Sequence, residues 1–284
     1  MSKITLNVIT VVWNDVYGLK KTLHSLLNLH EKNHNIDFKI KIQDGNSDDD
    51  TVSYANSFIS QYSNNLFNIE FISEEDEGIF DAMNRASSGL KHNDLVLYLN
   101  AGDVISKKID INMFYDSLQI FFRDKAKICA FRSRNIIKDI EYYMPSEKIK
   151  NNNDYLEWIR NNTPVHQALI FKFDDKFKLH YPVNFKIQAD SILIYYLFKF
   201  QGKPIFFDIT LCDFELGGLS NSYKSIKKVI TQIKEQKIVS DLRNENKFII
   251  FIRMISLILK FFLHNILGSK FYLLHAYLKK ILAK

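Results

Sequence analysis

Three acidic residues follow apolar, strand-like runs of this sequence. Asp44 directly follows one run, Asp103 closely follows another, and Asp76 lies three residues past a third. The carboxyl ends of parallel strands meet at one edge of a sheet, where α/β proteins bind their ligands. We therefore expect these three carboxylates to converge. Such a group could hold a divalent cation that neutralises a diphosphate, because Mg²⁺ and Mn²⁺ prefer oxygen ligands.

Alternating strand and helix patterns must position these acids. Together they predict a parallel sheet with covering helices. Past residue 105 the alternation loosens, and residues 138–165 are predicted to be irregular. The predicted strands are 3–12, 37–43, 68–73, 94–99, 126–132, 166–173 and 203–218, and the predicted helices are 16–29, 52–62, 78–90, 111–122 and 189–202.

The composition narrows the classes of function. Of 284 residues, 46% are apolar and 25% are charged, which is ordinary for a folded protein. Residues 247–284 contain seven Lys or Arg and no acid, whereas the rest of the chain is nearly neutral. This distribution argues against a general nucleic-acid surface and predicts an anionic partner near the C-terminal tail. Neither GxxxxGK[ST] nor GxGxxG occurs, which disfavours P-loop and Rossmann nucleotide sites.

The C-terminal tail combines this positive charge with a long apolar run. Residues 248–263 (FIIFIRMISLILKFFL) have only Arg253, Ser256 and Lys260 as polar interruptions. Sixteen helical residues span about 24 Å, which is less than the ~30 Å hydrocarbon core of a bilayer. We predict an interfacial membrane anchor that contacts anionic headgroups. The alternative is a helix pair that packs on the α/β part of the chain or forms a dimer contact.

Six segments of the chain, taken in order, resemble a known family. They are ITVVWND with the helix after it, QDGNSDDDT, SEEDEGIFDAMNRA, YLNAGD, PVHQALIF with ADSILIYYLF, and ELGGLS. The chain is similar to the inverting family 2 glycosyltransferases of bacterial polysaccharide and lipopolysaccharide biosynthesis. YLNAGD resembles the version of the DxD metal motif found in that subgroup. The resemblance implies a GT-A fold with a mostly parallel central sheet and a nucleotide-sugar donor, for which a UDP-sugar is expected.

The resemblance also implies roles for individual residues. Asp103 would bind the metal ion, Mn²⁺ or Mg²⁺. Asp190 would be the catalytic base, and His166 would lie near the acceptor or the leaving diphosphate. The expected donor-binding residues are Trp13, Asn14, Asp44, Asp76, Asp81, Asn84, Arg85 and Asn100.

Each of these residues also has a purely structural interpretation. Asp44 with Gly45 suits a turn, and Asp103 or Asp190 could cap a helix. Trp13 could pack beside the pocket instead of stacking on a base. Other open alternatives are a solvated helix face for Asp81 and Asn84, and a structural histidine for His166.

Taken together, the sequence predicts a hexosyl-transferring enzyme that is cytoplasmic and peripheral at the inner membrane face. Residues 1–222 would form the catalytic domain, with a nucleotide-sugar half to about residue 105 and an acceptor half from 106 to 222. Residues 223–284 would form a helical, basic and amphipathic extension. The acceptor would be a saccharide or a lipid-linked saccharide. The alternatives are a polyprenyl-phosphate glycosyl synthase and a non-catalytic nucleotide-sugar-binding protein, the latter suggested by Asn100 in the metal motif.

Overall fold

Strands and helices alternate through the first hundred residues, as the hydrophobic periodicity predicts. A computed structural model describes residues 3–174, 180–215, 225–268 and 270–283. The strands are β1 (Ile4–Val12), β2 (Ile36–Asp44), β3 (Phe67–Ser73), β4 (Leu95–Tyr98), β5 (Val104–Ile105), β6 (Ile128–Ile137), β7 (Ile140–Met144), β8 (Leu169–Lys172) and β9 (Ile205–Glu215). The helices are α1 (Val16–Lys32), α2 (Thr51–Tyr62), α3 (Ile79–Ala86), α4 (Ile111–Arg123), α5 (Asn152–Trp158), α6 (Ala189–Gln201), α7 (Ile226–Leu242), α8 (Lys247–Leu267) and α9 (Lys270–Ala283).

One sheet runs through the molecule in the order β3-β2-β1-β4-β8-β6-β9-β5, and β7 pairs with β6. Strands β1 to β4 are mutually parallel where they pair, so their carboxyl ends share one edge. Strand β8 runs antiparallel to both β4 and β6, and β5 runs antiparallel to β9. The α/β class is therefore confirmed, but the sheet is mixed: the part formed by β1 to β4 is parallel and the rest is largely antiparallel.

Several elements of the second half differ from the predicted ones. Residues 138–165 are not irregular throughout, because they contain β7 and α5. Ile137 pairs with Ile140 across a tight turn in which Lys138 has a φ of 50°. The turn lacks the Asn-Gly or Asp-Gly pair that usually marks such hairpins. Residues His166–Ala168 form a turn of 3₁₀ helix ahead of β8 instead of extending the strand. The predicted glycine turn at 217–218 and the ELGGLS motif beyond Glu215 lie outside the described residues.

Two apolar layers cover the sheet. On one side, α1, α2 and α4 bury residues such as Leu23, Phe58 and Phe114. On the other side, α3 and α6 bury Met83 and Leu193. Burying a side chain of this size stabilises the fold by about 1.5–3 kcal/mol. These layers hold the loops at the strand ends in place.

The C-terminal helices pack on the body and on each other. Helix α9 lies against β7, and α8 packs on α7 through a small cluster that includes Val229, Leu257 and Phe271. Helix α8 has 21 residues, so it is longer than the sixteen-residue run from which its length was predicted. Within the described part of the chain, α8 alone has the length and apolar character to cross a membrane, with a mean hydropathy of 1.8.

Candidate active site

Asp44 ends β2 and is fully buried. Its Oδ2 accepts hydrogen bonds from the Ser47 amide at 2.9 Å and from the Ser73 hydroxyl at 2.6 Å. The Ser47 hydroxyl donates to its other oxygen. The carboxylate thus ties the β2–α2 turn to the end of β3, which keeps this part of the sheet edge rigid.

Trp13 and Asn14 follow β1 on the same edge. The Trp13 side chain is 68% exposed, so the indole is available to a ligand. A Cβ atom added at Gly45 would lie 3.4 Å from Trp13 Cδ1 and 2.8 Å from Asp76 Oδ2. These three residues therefore form one surface, which we call the indole shelf. Asn14 supports it, because its amide donates to Ser47 Oγ at 2.7 Å.

The acidic loop before α3 is closed by Arg85. Its Nε lies 2.8 Å from Asp81 Oδ2, and its Nη1 donates to Glu74 Oε1 at 3.1 Å. The hydrogen bond to Glu74 is the main reason why the pKa of Arg85 lies above its usual value. Asp76 accepts from the Gly78 amide at 2.7 Å. Arg85 and Asp81 thus shape the loop, while Asp76 forms part of the indole shelf.

Asn84 makes a two-way contact with a distant segment. Its Nδ2 donates to the Tyr181 carbonyl at 2.9 Å, and its Oδ1 accepts from the Tyr181 amide at 2.8 Å. The side-chain amide is thus engaged by backbone on the side of the chain that leads into α6. This contact joins α3, in the first half of the chain, to the segment before α6 in the second half.

Asp103 lies in the loop between β4 and β5 and is 8% exposed. Gln167 Nε2 donates to Asp103 Oδ2 at 2.9 Å. Burial raises the pKa of Asp103 to about 6, although the Gln167 hydrogen bond and the neighbouring His166 act in the opposite direction. The nearby Asn100 Oδ1 is buried and has no hydrogen-bond partner among the described residues.

His166 stands between Asp103 and Asp190. Its Nδ1 lies 3.8 Å from Asp190 Oδ2, and it also interacts electrostatically with Asp103. Neither ring nitrogen has a hydrogen-bond partner within the described residues. Tyr98 and Tyr181 approach the imidazole edge-on, each with its ring centroid 6.2 Å away. We refer to Asp103, His166 and Asp190 as the central triad.

Asp190 opens α6 and remains about one-third exposed. Its Oδ1 accepts from the Ser191 amide at 2.7 Å, and its Oδ2 faces His166. Arg243, at the end of α7, is close enough to interact electrostatically with Asp190. Burial lowers the pKa of Arg243. The Oδ1 atom of Asp190 is therefore held by its own helix, and the Oδ2 atom faces the other members of the central triad.

Reasoning from the sequence missed several residues at this site. Gln167 bonds Asp103, and Thr22 Oγ1 contacts the backbone of the 100–103 loop. Gln167 adjoins His166 within a recognised motif, so the motif could have indicated it. Tyr181 is fully buried, its hydroxyl has no hydrogen-bond partner within the described part of the chain, and no local pattern marks it.

The metal-binding capacity of the site rests on few side chains. Within the described residues, no set of three or more His, Cys, Asp or Glu side chains could hold a metal. Asp103 and the orphaned Asn100 Oδ1 nevertheless offer two neighbouring oxygen donors. Mg²⁺ and similar cations commonly bind one or two protein carboxylates and take their other ligands from substrate phosphates and water. The residues present fit that mode of binding.

The fold of this chain is similar to that of several solved structures. TarS 1–349 from S. aureus superposes with a TM-score of 0.60 at 12% identity, covering 84% of this chain and 65% of that one. Its complex with UDP-GlcNAc gives a TM-score of 0.61 at 12% identity, with 84% and 66% covered. The mannosyltransferase PcManGT from Pyrobaculum calidifontis, in complex with GDP-Man and Mn²⁺, gives 0.58 at 14% identity, with 84% and 64% covered.

The fold is that of the GT-A glycosyltransferases. This chain spans about two thirds of the length of those crystallised proteins. No protein-family model matches the sequence, and a search of curated proteins found no match. In this chain, the carboxyl ends of the parallel strands form the edge that carries Asp44, Asp103 and the indole shelf.

Proposed function

We propose that this chain is an inverting family 2 glycosyltransferase that moves a sugar from a nucleotide-diphosphate donor to a carbohydrate or lipid-linked acceptor. The observation that carries the proposal is the central triad, which gathers two carboxylates and an imidazole at the ligand-binding edge of a GT-A sheet. The fold neighbours captured with UDP-GlcNAc and with GDP-Man and Mn²⁺ support a nucleotide-sugar donor. A UDP-sugar is the donor we favour.

The indole shelf would bind the nucleotide. An exposed indole offers a flat apolar face to a base ring, and Asp76 borders it with hydrogen-bond acceptors. Asp44 directly precedes Gly45 of the indole shelf, and hydrogen bonds from Ser47 and Ser73 hold its carboxylate in place. A carboxylate that is already held in place loses little further conformational entropy when a ligand binds.

Asp103 and Asn100 would hold the divalent cation. When bound there, the cation supplies positive charge for the diphosphate as it leaves. Gln167 fixes the orientation of the Asp103 carboxylate through its 2.9 Å hydrogen bond. Outer contacts of this kind typically tune metal affinity.

Asp190 would act as the general base. The acceptor hydroxyl gives its proton to this carboxylate as its oxygen attacks the anomeric carbon, and the bond to the diphosphate oxygen breaks. A positioned base of this kind contributes about 10²–10⁴-fold to the rate. His166, whose Nδ1 lies 3.8 Å from Asp190 Oδ2, would stand beside the base and near the acceptor or the leaving diphosphate. A single displacement of this type inverts the anomeric configuration.

A two-stage experiment tests this function. Nucleotide sugars are first screened with Mn²⁺ for ligands that raise the melting temperature, and transfer or donor hydrolysis is then measured with those ligands. Asp190→Asn should retain donor stabilisation and lose about 10²–10⁴-fold in turnover. Glu157→Gln, an exposed acid of α5, is the matched control and should behave like the wild type. Unchanged turnover in Asp190→Asn would refute the base assignment, and donor binding without any turnover would favour the non-catalytic alternative.

We also propose that α8 and α9 dock on the inner face of the cell membrane. Helix α8 turns a broad apolar face outwards, including Phe251, Ile255 and Phe262, and the tail around it is basic. Arg253 Nη2 donates to the Asn161 carbonyl at 2.9 Å, which holds the helix on the catalytic body. A helix held in this way fits an in-plane position in the interface.

Flotation with anionic vesicles tests the membrane contact. The wild type should float, and Ile255→Glu with Phe262→Glu should not, because charges would enter the apolar face. Ile238→Glu, on an exposed part of α7, is the control. Equal flotation of all three proteins would sink the proposal. Because α8 reaches the length of a membrane span, a polyprenyl-phosphate product is a second candidate, and extraction of a labelled glycosyl-phosphate lipid would identify it.

A further inference from the structure

Glu235 belongs to the C-terminal segment but faces the catalytic half. It lies on α7 and is 6% exposed. Its Oε1 accepts a hydrogen bond from the Lys186 amide at 2.7 Å. Its Oε2 accepts from the amides of Ile187 at 2.9 Å and Gln188 at 2.8 Å. One buried carboxylate therefore binds three consecutive backbone N–H groups.

These amides stand directly before the helix that carries the proposed base. Gln188 is the cap residue of α6, and its own side chain makes no capping hydrogen bond to the helix. Asp190 is the second residue of that helix. The Gln188 side chain instead donates to Gln236 Oε1 at 2.9 Å, which adds a second contact from α7. The start of α6 is thus held from outside, by α7.

The strength of this contact follows from its chemistry. Hydrogen bonds to an ionised carboxylate are roughly twice as strong as those between neutral groups. A buried charge is tolerated only where such partners satisfy it. The three amides would in turn lose their partner if Glu235 were absent. The contact therefore fixes the position of residues 186–188.

We propose that Glu235 is a positioning residue for the transfer reaction: it locks the entry to α6 so that Asp190 faces His166 and the acceptor. The inference rests on the proposed function. It makes α7 part of the catalytic unit, so that a boundary at residue 222 would separate the base from its support. Neither the periodicity of α7 nor any motif in the sequence indicates this role.

The test compares Glu235→Gln with a matched control. The substitution keeps the volume and one acceptor oxygen, but its NH₂ group meets backbone donors. A misplacement of about 1 Å can cost on the order of 10²-fold in rate, so we expect kcat to fall about 10- to 100-fold. The KM for the donor should stay within about twofold, because the indole shelf is untouched. Asp241→Asn removes the same charge from an exposed site on α7 and should match the wild type.

Hydrogen exchange supplies a readout that does not depend on activity. Amides 186–192 should exchange faster in Glu235→Gln than in the wild type, while the strands of the sheet keep their protection. If Glu235→Gln yields no folded protein, Gln236→Ala carries the same test, with a smaller fall in kcat. It removes the neighbouring contact to Gln188 and, within α7, the 3.2 Å hydrogen bond from Gln236 Nε2 to Ser240 Oγ, while Glu235 keeps its three amides.

The outcomes separate the inference from the function on which it rests. A wild type without transfer or donor hydrolysis overturns the transferase proposal. Hydrogen exchange then decides only whether Glu235 holds residues 186–188 in place. An active wild type with unchanged kcat in Glu235→Gln overturns the positioning role. An equal loss in Asp241→Asn, or a higher KM with constant kcat, overturns it as well.

Discussion

Thr22 offers the sharpest test of how the 100–103 loop is held. This residue of α1 is fully buried, and its Oγ1 lies 2.7 Å from the Asp103 carbonyl. The Gly102 amide donates to the same oxygen at 3.1 Å. The Asn100 carbonyl lies 3.1 Å away and the Gly18 carbonyl 3.2 Å away. A hydroxyl has one proton, so its best geometry is donation to Asp103 and acceptance from Gly102.

Thr22→Val removes both hydrogen bonds while nearly preserving volume. Each of the two buried backbone groups left without its partner costs about 1–3 kcal/mol; with the lower half of that range for each group, the protein should lose roughly 2–4 kcal/mol of stability. For a chain of this size, 1 kcal/mol corresponds to about 2–4 °C. We expect the melting temperature to fall by about 5–10 °C. The loop that carries Asp103 would also loosen, which should weaken stabilisation by Mn²⁺.

Thermal unfolding with and without Mn²⁺ measures both effects. Thr22→Ser is the control, because it keeps the hydroxyl and loses only a methyl group; it should retain most of the stability and the response to Mn²⁺. If Thr22→Val melts within about 1 °C of the wild type, the hydroxyl does not hold the loop. If Thr22→Ser falls as far as Thr22→Val, packing of the methyl group is responsible instead.

Three further outcomes follow from single contacts. In Gly45→Ala the new Cβ would lie 2.8 Å from Asp76 Oδ2, so the affinity for UDP should fall about tenfold or more. The melting temperature of the free protein should stay within about 2 °C of the wild type. Unchanged UDP affinity would contradict the indole shelf. Asn84→Ala should cost about 2–3 kcal/mol in chemical denaturation, because it strips both hydrogen bonds from the Tyr181 backbone, whereas Asn84→Asp should keep one of them and lose less. Burial, reinforced by two nearby lysines, lowers the pKa of His275 to about 4. The unfolded chain therefore binds more protons, and stability is lost as pH falls from about 6.5 towards 4. His275→Phe should reduce the acid-induced fall in melting temperature by about 5 °C, and an acid profile identical to that of the wild type would refute this role of His275.

The first half of the fold and part of the site follow from local patterns. Each strand from β1 to β4 is a short apolar run, and a helical pattern follows each of the first three. Asp44 and Asp103 could be predicted to share an edge because both follow such runs, and parallel strands end together. The exposed indole of Trp13 could not be predicted in the same way. Its exposure depends on how Gly45 and Asp76 approach it from other elements.

The second half is less predictable because its decisive contacts join distant residues. Asn84 reaches Tyr181 across 97 positions, and Glu235 reaches Gln188 across 47. The antiparallel strand β8 is an apolar run that would fit either direction, so its orientation depends on packing. The composition assigns α7 to the C-terminal extension, and no local pattern indicates that its buried Glu235 carboxylate lies at the start of α6.

Hydrogen-bond satisfaction divides the acids of the site into two groups. Asp44, Asp76 and Asp81 accept from neighbouring amides, hydroxyls or a guanidinium, so their role in shaping loops is complete without a ligand. At the central triad, both His166 nitrogens lack hydrogen-bond partners among the described residues, as does Asn100 Oδ1 beside it. Buried polar atoms without partners are costly, and folded proteins keep few of them. The surrounding acids already have hydrogen-bond partners. A bound diphosphate-sugar, its cation and the acceptor hydroxyl would therefore add the most new hydrogen bonds at these unsatisfied groups. This is the physical reason for placing the chemistry at the central triad.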